Sequence, residues 1–110
     1  MIVEHLNSTT VITQEKKTIS ELVSGIENVY ETIENNNIIV NLFSLSKAKS
    51  SDLKEFSLLS QKHRKAKHSF VIVSKAVSVD DIPDELEVVP TLVEAHDIIG
   101  MEEIERDLGF

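Results

Sequence analysis

The sequence contains no cysteine and no tryptophan, and only three glycines, two prolines, one tyrosine and four phenylalanines among 110 residues. Without cysteine there is no disulfide framework, no thiol nucleophile and no thiolate-ligated zinc, which fits a reducing compartment. So few glycines leave little for phosphate-cradling turns, and neither a Walker loop nor a GxSxG elbow is present. No window approaches the ~18 uninterrupted apolar residues of a membrane span. The opening MIVEHLNSTT lacks a basic segment leading into an apolar core, so no signal peptide is expected and the expected location is the cytoplasm.

What is present is charge, unevenly spread. The net charge of -8 opposes nonspecific nucleic-acid binding by the molecule as a whole. Ser46 to His68 holds seven Lys or Arg against two acids, whereas Asp80 to Phe110 holds eleven acids and one base, Arg106. These runs read either as solvated helix faces or as two oppositely charged surfaces. A chain of this length forms one domain and buries about 65% of its unfolded surface, so it needs no staples.

The stretch NIIVNLFSLSKAKSSDL, Asn37 to Leu53, organises the rest. Ile38, Ile39, Val40, Leu42 and Phe43 make a short apolar run suited to a strand covered on both faces. A polar loop follows, and Leu53, Phe56 and Leu59 then recur at helical spacing from a start near Ser51. Phe70 to Val73 is a second apolar strand, which completes a βαβ unit with parallel strands. Upstream, Ile2 to Leu6 and Val11 to Thr13 are β-prone pieces around the spacer Asn7 to Thr10, predicting a hairpin or two adjacent strands. Thr18 and Glu21 spell a capping box, and Ile19, Leu22, Val23, Ile26, Val29, Tyr30 and Ile33 continue a helix that stops at Asn35-Asn36-Asn37.

Downstream, AVSVDDIPDELE reads as a loop, with room for one turn of helix, before a short strand at Glu87 to Val89. Thr91 and Glu94 form a second capping box, and Leu92, Ala95, Ile98 and Ile99 supply the buried face of a last helix that Gly100 either ends or bends. Met101, Ile104 and Leu108 extend the helical spacing. With Phe110 they make the tail either a helix end packed on its own domain or a partner-binding amphipathic element, and the difficulty of keeping such residues soluble favours packing. The fold expected is α/β, a mixed and largely parallel sheet of four to five strands flanked by helices.

The strand IIVNLF running into SLSKAKSSDL, together with VVPTLVEAHDII near the end, resembles the STAS domain, found in bacterial anti-sigma factor antagonists and in the cytosolic tails of sulfate transporters. In that family a Val- and Ile-rich strand enters a loop with an Asp-Ser pair at the start of a helix, and the serine is phosphorylated. Spacing from Asn41 puts Ser50 on that serine, while Lys49 stands where the family has Asp and Asp52 where Gly is common. Pro90, Thr91, Glu94 and Ala95 match the family's last strand-to-helix junction.

The resemblance implies a noncatalytic module that binds a protein partner, an anti-sigma factor or a serine kinase-like protein, with Ser50 or Ser51 as the phosphorylation candidate. Ser46, Lys47, Lys49, Asp52 and Lys54 are then the partner-binding residues, and no cofactor is implied. A cap on the second helix is the plainer role for Ser50 or Ser51. The chain is also similar to small STAS-like proteins that carry the label ribonuclease Z. That enzyme's two-zinc site needs an HxHxDH motif, whereas His5, His63, His68 and His96 are scattered here, so no metal is expected. The alternative reading is an RNA-associated accessory factor without ribonuclease activity, using the basic patch Lys62, Arg64, Lys65 and Lys67, although no interleaved aromatics accompany it.

Overall fold

The computed structural model describes residues 1–15, 18–43, 50–75 and 82–109. It is an α/β protein built on a five-stranded sheet whose order follows the chain. Strand β1 (Ile2–Leu6) pairs antiparallel with β2 (Thr9–Thr13), and β2, β3 (Asn37–Asn41), β4 (Phe70–Val73) and β5 (Glu87–Val89) are all parallel. The hairpin turn is tighter than the polar spacer suggests: Thr9 and Thr10 join β2, and the chain reverses at Asn7-Ser8, where Asn7 takes φ 57°, a left-handed value that asparagine tolerates.

Helix α1 (Ile19–Ile33) carries the full capping box, with the Glu21 amide donating to Thr18 Oγ1 at 3.2 Å and the Thr18 amide donating to Glu21 Oε1 at 3.0 Å. Its Leu22, Val23, Ile26, Tyr30 and Ile33 face the sheet. The expected second helix is three pieces: α2 (Ser50–Leu53), a 3-10 turn (Lys54–Phe56) and α3 (Ser57–Lys65). Leu53, Phe56 and Leu59 still point inward. These three recur every third residue, the period of a 3-10 helix, so the tighter turn keeps all of them on the core side of the break.

The period of two along each strand divides the interior. Ile12, Ile38, Val40, Phe70 and Ile72 pack with α1, Leu53, Phe56 and Leu59, while Val11, Ile39, Val71 and Val73 pack with Ala95 and Ile99 of α4 (Leu92–Asp107). Central β3 is buried on both faces, as its unbroken apolar run implies. Phe43 departs from that run: the strand ends at Asn41, and Phe43 is 67% exposed.

Gly100 does not end α4, which continues to Asp107. Its buried face is narrower than expected, with Ala95 and Ile99 buried, Ile98 partly so and Leu92 exposed. The tail stripe is also exposed, Met101 at 61%, Ile104 at 61% and Leu108 at 68%, because these residues lie on the side of the helix away from the sheet. Phe110 lies outside the described residues. No helix among the described residues is long and apolar enough to cross a membrane.

Candidate functional site

The parallel strands direct their carboxyl ends to one rim of the sheet, where α/β folds commonly bind ligands. At that rim Asn41, the last residue of β3 and 8% exposed, folds its side chain back so that Oδ1 accepts the Phe43 amide at 3.0 Å. This local closure ends the ladder and turns the Phe43 ring outward. The ammonium of Lys75, just past β4, lies 5.7 Å from the ring centroid, close enough for a cation–π contact. Phe43, Val73, Lys75, Thr91 and Leu92 line an open depression of about 290 Å³ with Asn41 at its base, mostly apolar and with one cation.

The amino end of α4 forms one wall. The Glu94 amide donates to Thr91 Oγ1 at 3.2 Å, as expected of a cap, but the Glu94 carboxylate accepts from the Thr91 hydroxyl at 3.0 Å instead of the backbone amide. The second capping box is thus half formed. Ser50 is the first residue of α2, Ser51 and Lys54 are exposed and Asp52 is half-buried. Ser46, Lys47 and Lys49 lie outside the described residues.

The basic run is not one surface. His63, placed by sequence among repelling cations, is fully buried. Its Nε2 lies 2.6 Å from the Asn36 carbonyl oxygen, which can only accept, so Nε2 carries the proton and Nδ1 accepts the Tyr30 hydroxyl at 2.7 Å. Burial, with positive charge at His68, Arg64 and Arg106, lowers the His63 pKa to about 4, so the ring is neutral near pH 7. Burial, with the Glu34 carboxylate nearby, raises that of Tyr30, which keeps its donor proton. Tyr30→Phe removes that donor and strands a buried acceptor, with an expected loss of about 1–2 kcal/mol by urea denaturation near pH 7; unchanged stability would show that the bond contributes nothing.

Arg64 is likewise committed internally, donating to Glu102 Oε2 at 3.2 Å and to the Phe70 carbonyl at 3.1 Å. Lys62 sits with its ammonium 4.5 Å from the Tyr30 ring centroid, and Lys65 and Lys67 are exposed. Of the four proposed phosphate-binding cations, one therefore joins helices instead of facing outward. Sequence reasoning also missed the opposite rim. Arg106 donates to Asn37 Oδ1 at 3.2 Å and to Ser69 Oγ at 3.1 Å, while Asn37 Oδ1 also accepts the Ser69 amide at 2.9 Å, so the end of α4 is fastened to the starts of β3 and β4. The only available signal was a single base in an acidic tail.

Among the described residues, no three His, Asp or Glu side chains are grouped to hold a metal ion. His5 instead lies with Nδ1 3.0 Å from Thr10 Oγ1. No protein-family model matches the chain, and no curated protein matches it.

Proposed function

We propose that this protein is a noncatalytic interaction module, resembling the STAS-type anti-sigma factor antagonists, that binds a protein partner through the rim at the carboxyl ends of its parallel strands. The observation that carries the reading is Phe43, a large aromatic left 67% exposed at the end of the buried central strand, beside Lys75 and an apolar depression. Aromatic residues, phenylalanine among them, are enriched at protein interfaces relative to the rest of the surface. In this reading the residues that follow β3 in the chain, Ser46, Lys47, Lys49, Asp52 and Lys54, also take part in binding the partner. A soluble, cytoplasmic regulator whose partner is an anti-sigma factor or a serine kinase-like protein fits these features.

Ser50 is the regulatory position in this proposal. A phosphate there adds about -2 charge to a loop containing Lys47 and Lys49, and binding of an acidic partner falls. Ser50→Asp is expected to weaken partner binding more than Ser51→Asp, as read by affinity purification from the native cell followed by titration of the captured protein. Equal affinity of wild type and both variants removes the switch. Retention of the partner by Phe43→Ser removes the rim itself.

A further inference from the structure

Helix α4 has two apolar sides, and its own sheet covers only one. At 100° per residue, Ala95 and Ile99 point toward β3 and β4, while Val93, Met101, Ile104 and Leu108 gather on the opposite side. All four of the latter are exposed, between 61% and 71%. At a rise of about 1.5 Å per residue the stripe runs about 22 Å, some four turns, with spacings of three and four residues in its lower half, the geometry of a seam for another helix.

Charge identifies what fits there. Asp97 lies within the stripe, and Glu94 and Glu105 flank it, all three exposed. The one base of the helix is Arg106, and its guanidinium is turned inward onto Asn37 and Ser69. No cation of α4 therefore relieves the acids of the outer side. A second copy laid antiparallel would bring Glu94 against Glu105 of its mate, and an anionic membrane surface would be repelled. We propose that the outer side of α4 is a docking seam for a basic amphipathic helix of a protein partner, with apolar residues meeting Met101, Ile104 and Leu108 and Lys or Arg meeting Asp97, Glu94 and Glu105. This seam is separate from the Phe43 rim and does not rest on the Ser50 switch.

The test uses the full chain and two labelled peptides of one pattern, leucines at helical spacing with either lysines or glutamates elsewhere, measured by fluorescence anisotropy. The Leu/Lys peptide is expected to bind and the Leu/Glu peptide to show no binding. Ile104→Ser combined with Leu108→Ser, both exposed positions, is expected to weaken the Leu/Lys peptide about tenfold or more through loss of the anchors. Glu94→Gln with Glu105→Gln weakens it too and flattens its salt dependence, whereas Glu27→Gln with Glu31→Gln, an equal charge change on α1, leaves it unchanged. Unchanged melting of each variant shows that the fold is intact. Equal binding of both peptides, no binding of the Leu/Lys peptide, or binding that survives the serine substitutions overturns the proposal. So does a wild-type dimer in sedimentation that the serine substitutions dissolve, since that assigns the seam to a second copy.

Discussion

Acidification from pH 7 to pH 4 is expected to remove up to about 3 kcal/mol of stability through His63 alone. The folded protein holds this ring neutral with a pKa of about 4, below the 6.5 of a solvated histidine. Between those values the unfolded chain binds the proton more readily, so stability rises with pH across this window. The contribution is fully present above pH 6.5 and is lost as pH falls toward 4. Burial is the main cause, since it penalises the charged ring, and His68, Arg64 and Arg106 add to it; a proton on Nδ1 would also face the Tyr30 hydroxyl that now donates there. Carboxylates also titrate as the pH falls, and the comparison with His63→Gln separates them. That variant is less stable near pH 7, and its urea midpoint should change much less between pH 6.5 and 4. Parallel pH curves for the two proteins would remove His63 as the cause.

Phe56→Ala is expected to be the most damaging single core truncation, at about 3–5 kcal/mol. Phe56 is completely buried where the 3-10 turn meets α3, and its ring centroid lies 6.3 Å from that of Phe70 on β4. Its removal leaves a cavity between the broken helix and the sheet that the short α2 and α3 segments cannot close without losing Leu53 or Leu59 contacts. Leu58→Ala, two residues on and 81% exposed, should stay within about 0.5 kcal/mol of wild type. A Phe56→Ala loss no larger than that of Leu58→Ala, measured by denaturant unfolding, would show that the helix packs elsewhere.

The strong periodic signals were reliable because they report local physics. Thr18 and Glu21, three residues apart, each accept the other's backbone amide, so α1 starts where the capping box puts it. Ile38 to Val40, a short apolar run on both sides of a pleat, suits a strand covered twice, and β3 is that strand. Signals that depend on a distant partner were not legible. Lys62-His63-Arg64-Lys65 reads as one basic run, yet it divides into a ring buried against Tyr30 and Asn36, a guanidinium held by Glu102 and Phe70, and lysines outside. Phe43 reads as the last residue of an apolar strand, and only the Asn41 side chain's bond to its amide turns it out to the rim.

By itself, then, the sequence determined the α/β class, the element order, both helix caps and which residues of β3 and β4 are interior, because spacing and capping act over a few residues. Tertiary structure alone decided which charges are spent inside and which remain outside. Arg64 and Arg106 join α3 and α4 to the sheet through partners 6 to 69 residues away, and α4 has one apolar side buried and one bare. The reason is that a charged or apolar side chain carries no mark of its surroundings until the chain has brought its neighbours to it.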